Sequence, residues 1–154
     1  MEKAQFTRID ESTREGWEIT TQYDEEHRAE LPGRLLAPLA RMGDNESDQP
    51  YQVTRLEHCL QAATRALRDG AEAEMVVAAL LHDIGDELAL FDHAEFAAAI
   101  LEPYVSRKTH WIIQQHDVFQ GKYYWDHLDL NPDTSRSALR AALRKCRQTP
   151  LYTR

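Results

Sequence analysis

The chain is 154 residues long, 42% apolar and 29% charged, with a formal net charge of −8. That is long enough for one domain with its own core, and the composition is that of a globular protein rather than a disordered or fibrous one. The negative balance argues against nucleic acid as a partner, and two cysteines are too few for a disulfide framework.

No stretch of about 18 apolar residues occurs, which argues against a membrane span, and the first residues are too charged for a signal peptide. The expected location is therefore cytoplasmic. Charge is unevenly spread: residues 1–50 carry twelve acids against six bases, while residues 135–154 carry six bases and no acid. No aromatic residue lies between Arg136 and Arg147, so the basic tail reads as a solvated helix face.

The first third of the chain predicts two helices. Residues 11–30 are acidic on most faces, with Trp17, Tyr23 and Leu31 as candidate anchors. Leu31-Pro32-Gly33 reads as a break, after which residues 34–42 resume with Leu35, Leu36, Leu39 and Met42 on one face. Residues 43–50 are polar and rich in breakers and predict a loop, the seam between a lead-in and the functional core.

Thr54 and Glu57 have the spacing of a capping box for a helix over 55–69. Its apolar stripe reads as Leu56, Leu60, Ala63 and Leu67, with His58 at the edge of a wider arc that includes Ala62 and Ala66. Cys59 falls on an apolar face of the same helix, and Cys146 on one near the end of the chain, so both read as buried and inert thiols. Asp69-Gly70 ends the helix. The next, over 71–84, contains seven consecutive apolar residues from Met75 to Leu81, which predicts burial on all sides, with Gly85 as its stop.

At the end of that run stand His82 and Asp83. A buried carboxylate needs a cation, and neighbouring helical residues point about 100° apart, so a single clamped ion does not fit them simply. A carboxylate bridging two metals, with the histidine on one of them, does. A hydrogen-bonded His–Asp pair capping the helix is the simpler alternative. Further on, Asp92 can N-cap a helix through residues 97–101 to Pro103 with His93 in its first turn, and Ser106 caps another in which Ile112 and Ile113 share a face with His116. Residues 119–125 read as aromatic and irregular. Pro132 precedes a last helix over 135–146, and residues 148–154 read as an unstructured end. No strand signal appears, so the fold expected is all-α.

Four histidines therefore stand at helix ends or inward faces, His58, His82, His93 and His116, whereas His27, His110 and His127 have no such placement. The order His, His-Asp, His, His, carried by Leu56-Glu57-His58-Cys59-Leu60-Gln61, Asp69-Gly70-Ala71 and the segment from Glu74 to Gly85, resembles the HD-domain superfamily. Within it the likeness is strongest to the mixed-valence di-iron oxygenases that cleave organophosphonates, and it covers residues 51–124. It implies an HD-domain helical bundle (a lead-in over 1–50, a metal-binding core over 51–134, a basic helix and tail over 135–154). It also implies a site of two divalent or mixed-valence metal ions, with His58 and His82 on one, His93 and His116 on the other, and Asp83 between them. His82 and Asp83 would then carry the chemistry. Imidazole and carboxylate without thiolate suit iron first, and manganese or zinc as alternatives. Two bridged metals about 3.5–4 Å apart can hold a substrate oxygen beside water or dioxygen.

The resemblance admits two reactions, oxygenation of an organophosphonate or hydrolysis of a phosphate ester, both on a small molecule. The phosphonate enzymes carry a lysine soon after the fourth histidine. Here Asp117, Val118, Phe119, Gln120 and Gly121 intervene before Lys122. Gln120, Lys122 and Tyr51 are the candidate substrate contacts, Gln120 as an uncharged hydrogen-bond donor and Tyr51 also as a displaceable ligand. Tyr123, Tyr124 and Trp125 are candidate pocket residues. HD-domain sites are closed by a second aspartate on a later helix, and no acid follows Asp133, which leaves Asp117, Asp126 and Asp129 as substitutes only if the backbone folds back. The sequence thus carries a third expectation, an altered chain holding the His93/His116 metal better than the His58/His82 metal, with weak turnover or a binding role alone.

Overall fold

The computed structural model of the chain describes residues 2–44, 50–129 and 133. The helix expected over 135–146, Cys146 with it, and the end over 148–154 lie outside the described residues. Six α-helices follow in order: α1 Arg14–Ala29, α2 Leu31–Arg41, α3 Arg55–Arg68, α4 Ala73–Leu81, α5 His93–Leu101 and α6 Arg107–Tyr124. A 3-10 turn, Glu102–Tyr104, joins α5 to α6, and another, Trp125–Leu128, follows α6. No strand occurs among the described residues, and no helix there is long and apolar enough to cross a membrane. The fold is all-α.

Local chemistry sets the helix ends that matter. The Thr54 hydroxyl accepts from Glu57 N at 3.1 Å while the Glu57 carboxylate accepts from Thr54 N at 2.8 Å, closing the expected capping box. At the other end of α3, Gly70 takes φ +74, and Ala71 N donates to Ala66 O at 3.0 Å while Gly70 N donates to Leu67 O at 3.1 Å. That pair of bonds is a Schellman motif, and the left-handed residue at its centre is cheapest as glycine. It turns the chain back sharply, so α3 and α4 pack side by side.

The core gathers Leu39 from α2 and Met42 just after it, Cys59 from α3, Ala78 and Leu81 from α4, Ile84 after it, Ala97, Ala98 and Leu101 from α5, and Ile113 from α6. The small residues on α5 let its neighbours approach closely. On α3 the buried arc runs through Leu56, Cys59 and Ala63, and Leu60 and Leu67 face outward. Half of the expected stripe, Leu56 and Ala63, is therefore inward, and the buried face is rotated from Leu60 and Leu67 toward Cys59, with His58, Ala62 and Ala66 half-buried along its edge. On α2 and its C-cap, Leu35, Leu39 and Met42 point inward at i, i+4 and i+7, while Leu36 is exposed.

Three further expectations are corrected. Leu31-Pro32-Gly33 does not break a helix; it forms the first turn of α2, where proline lacks only an N–H that has no helical partner anyway. Trp17 and Tyr23 are partly exposed, although Trp17 lies 5.8 Å from the Phe6 ring. Residues 119–124 are not irregular: α6 runs on through Tyr124, and the buried Gly121 gives Trp125 a place to lie against the helix.

The apolar run also differs from expectation. Val77 is 46% exposed, so α4 is not buried on all sides. The helix ends at Leu81, and residues 82–92 form a chain of turns, with Ile84 N on Leu81 O, Asp86 N on Asp83 O and Leu88 N on Gly85 O. Gly85 is not a helix stop. A Cβ there would stand 2.9 Å from His93 O and from Phe96 Cβ, so glycine is what lets the first turn of α5 close onto this segment.

Candidate metal centre

Each of the four histidines is placed by a different element. His58 lies in the second turn of α3, His82 caps the end of α4, His93 opens α5, and His116 stands in the middle of α6. Asp83 sits between them with its side chain only 11% exposed. Its Oδ2 lies 3.1 Å from His82 Nε2 and 3.4 Å from His58 Nε2. Its Oδ1 lies 3.1 Å from His116 Nε2 and 3.6 Å from His93 Nε2. One carboxylate thus turns one oxygen to each pair of imidazoles.

Tautomers follow from the outer nitrogens. The Nδ1–H of His82 donates to Ala79 O at 2.9 Å, that of His93 to Leu90 O at 3.1 Å, and that of His116 to Ile113 O at 2.7 Å. A carbonyl only accepts, so each Nδ1 carries the proton and each Nε2 faces inward, where it is a lone pair free to bind a metal whenever the ring holds no second proton. Yet His93 and His116 bring those lone pairs to 3.2 Å of each other, as do the Nε2 atoms of His58 and His82. Two acceptors facing at that distance call for a proton or a metal ion between them. Two groups, His58–His82–Asp83 and Asp83–His93–His116, have ligand atoms within 4.8 Å of one another and can each hold a metal. The donor set fits the expected pair of ions in both chemistry and arrangement.

The field of the site is consistent with that use. Burial would raise the Asp83 carboxyl, but hydrogen bonds from His116 and His82 outweigh it and hold the group far below the usual carboxylate range. Burial lowers His58, whereas the bond to Asp83 raises His116 against its own burial. Cys59, fully buried behind the site, has its thiol pushed up to about 12 by burial and stays out of the chemistry.

A cavity of about 630 Å³ opens beside the site. Of the candidate substrate contacts, Tyr51 and Gln120 line it, as do His58, Asp83 and His93. Lys122 does not; its ammonium lies 5.3 Å from the Tyr123 ring centre. Among the three consecutive aromatics only Tyr124 reaches the wall. Asp117 lines the cavity, but neither Asp117 nor Asp126 nor Asp129 joins either ligand group among the described residues.

Three wall residues escaped the sequence reading. His127, set aside there, lines the cavity because the turn Trp125–Leu128 folds back along α6. Arg55 and Asp86 form a buried ion pair, with Asp86 Oδ1 also 4.0 Å from His93 Nδ1. Removing one partner of such a pair typically costs about 3–5 kcal/mol. The available signal was spacing: Arg55 lies three residues before His58 on one helix, and Asp86 three after Asp83.

Comparison with known proteins bears on this arrangement. The family model described as the HD domain matches residues 55–151. A [1-hydroxy-2-(trimethylamino)ethyl]phosphonate dioxygenase (glycine-betaine-forming) of Leisingera caerulea is 35% identical over 86 residues, 47% of this chain and 44% of that protein. A hydroxymethylphosphonate dioxygenase of Gimesia maris is 41% identical over 59 residues, 37% of this chain and 29% of that protein. The alignments thus span less than half the length of either relative.

Proposed function

The chain belongs to the HD domain family, and from that membership we propose that it is a metal-dependent oxygenase acting on a small organophosphonate. In this reading His58 and His82 hold one metal, His93 and His116 the other, and Asp83 bridges them; iron is the metal proposed. The observation that carries it is the division of the Asp83 carboxylate, with Oδ2 at 3.1 Å from His82 and Oδ1 at 3.1 Å from His116. The two relatives named for phosphonate dioxygenation support the choice of reaction.

Bound there, a pair of irons supplies dioxygen activation. The chain's own residues supply the rest. The backbone carbonyls of Ala79, Leu90 and Ile113 fix three imidazoles in the tautomer that presents Nε2. Asp83 offsets part of the metal charge from a buried position, where water screens it least. Gln120 and Tyr51 on the cavity wall offer hydrogen bonds to a substrate's oxygens.

A phosphohydrolase is the second reading, favoured by one observation: among the described residues no lysine lines the cavity where the likeness to the phosphonate enzymes leads one to expect it. The two are separated by incubating iron-loaded protein with hydroxymethylphosphonate, and separately with a phosphate monoester, with and without oxygen. Dioxygen uptake dependent on the phosphonate supports the oxygenase. Phosphate release at equal rates with and without oxygen establishes the hydrolase instead. Protein that purifies with almost no metal and takes none up on loading would make the chain a binding module.

A further inference from the structure

A tetrahedral oxyanion, whether a phosphonate or a phosphate ester, would enter a cavity whose wall carries the carboxylates of Asp83, Asp86 and Asp117. Beyond the proposed metals, which Asp83 already partly offsets, a cationic side chain would balance Asp86 and Asp117 and give the oxyanion a second point of attachment. Lys122 lies elsewhere, and among the described residues that line the cavity Arg55 is the only lysine or arginine. The way Arg55 is held suits that task. Its partner Asp86 is the buried member of the pair, with a side chain 3% exposed, while the Arg55 side chain is 28% exposed. The carboxylate therefore steadies the guanidinium from behind and leaves it accessible from the cavity.

Two more features fix it in place. The Tyr51 ring lies 5.8 Å from Arg55 Cζ, close enough for a cation–π contact. Arg55 is also the first residue of the 14-residue α3, so the positive end of that helix adds to the same region of the wall. A guanidinium offers five N–H donors, and among the described residues the ion pair with Asp86 engages only Nη1. Its planar fork matches two oxygens of a phosphoryl-type group at once.

We propose that Arg55, steadied by Asp86, receives the oxyanion of the substrate in place of the lysine that the resemblance leads one to expect. The proposal rests on the functional reading above for its location, and its test does not require turnover. Methylphosphonate and inorganic phosphate are titrated separately into the full chain by calorimetry, with metal content measured on the same samples. The wild type should bind at least one of the two, and the stronger one identifies the source of the oxyanion.

Arg55→Gln should weaken that binding about tenfold or more, the scale of one charge-assisted contact, with metal content unchanged. Asp86→Asn should tighten it by about threefold or more, because the amide Oδ1 can still accept from the guanidinium and hold it in place while the competing negative charge is gone. A purely structural pair would lose binding in both variants. The double variant Arg55→Gln/Asp86→Asn leaves no lone buried carboxylate and should bind as weakly as Arg55→Gln, which keeps the test open if the single variant does not fold. Equal affinity in Arg55→Gln and wild type overturns the proposal, as does weakened binding in Asp86→Asn or a metal-replete wild type that binds neither probe. A chain that takes up no metal yet shows the dependence on Arg55 would instead overturn the oxygenase reading and leave this one standing.

Discussion

His93 Nε2 and His116 Nε2 face each other at 3.2 Å although both rings have already committed their Nδ1 protons to backbone carbonyls. Without a cation between them the pair is a repulsion held in place by the fold. Metal binding should therefore stabilise the protein strongly. At a free metal concentration 100 times the dissociation constant the gain is about 2.7 kcal/mol, or a rise in Tm of roughly 5–10 °C for a chain of this size. Thermal melts with ferrous or manganous ion against a chelator measure it directly. Asp83→Ala should abolish the gain and lose both metals, because both groups share that carboxylate. Retention of two metals by Asp83→Ala would remove the bridging assignment.

The site also depends on a glycine that makes no polar contact with it. Gly85→Ala places a Cβ 2.9 Å from His93 O, in the backbone of the residue that supplies one imidazole. Overpacking of this kind costs about 1–3 kcal/mol. The neighbouring atoms are backbone and Phe96 side chain, so relief requires α5 to shift and His93 with it. The expected outcome is a lower Tm together with weaker metal binding at the His93/His116 group. A loss of stability with metal affinity intact would show that α5 can move without carrying His93 away.

Much of this was legible in the sequence, for identifiable reasons. Capping is local chemistry, so Thr54, Glu57 and Ser106 announced their helices correctly. Asp69-Gly70 announced the turn that lays α4 against α3. The four histidines and Asp83 could be singled out because polar residues at the ends of apolar helices need partners. Rotation of a helix about its axis was less legible. On α3, apolar residues lie on more than half of the circumference, so the pattern alone does not say that Cys59 is buried while Leu60 and Leu67 face outward. Arg55 and Asp86 were harder to see for another reason: beyond their spacing from His58 and Asp83, an ion pair 31 residues apart leaves no periodic trace, and a charged residue on a helix reads as solvated by default.

A carboxylate outside the site should make its own signature in pH. Glu74 on α4 accepts from Ser106 N at 2.9 Å and from Ser106 Oγ at 2.6 Å, tying α4 to the N-terminus of α6. Those bonds favour the charged form and lower the carboxyl from its ordinary value of 4.5. A carboxyl lowered on folding contributes stability that is present above its unfolded pKa and is lost as pH falls through the folded one. Glu74→Gln should therefore melt below wild type at neutral pH. The difference should shrink on acidification below about 4.5 and disappear at still lower pH. A gap in Tm that stays constant through this range would assign the effect of Glu74 to something other than its charge.

The last expectation concerns inequality between the two metal sites. Each group supplies two imidazoles and one oxygen of Asp83, so by ligand count they match. They differ in how the imidazoles are held. His93 and His116 both donate Nδ1–H to a carbonyl, and their side chains are 21% and 12% exposed. His82 is fixed the same way, but His58 is 45% exposed and its Nδ1 has no hydrogen-bond partner among the described residues. An imidazole without an outer partner is free to rotate and is a weaker base, and loss of such a partner typically lowers metal affinity about 10–100-fold. The metal on His58 and His82 should therefore be the first to leave, as the sequence led one to expect on the separate ground of a missing aspartate. Competition with a graded chelator should remove metal in two steps of about one equivalent each. His58→Ala should abolish only the easier step, whereas His116→Ala should abolish the harder one. Simultaneous loss of both metals in wild type, or a His58→Ala protein that keeps the weaker step, would mean that the outer hydrogen bonds do not set the order.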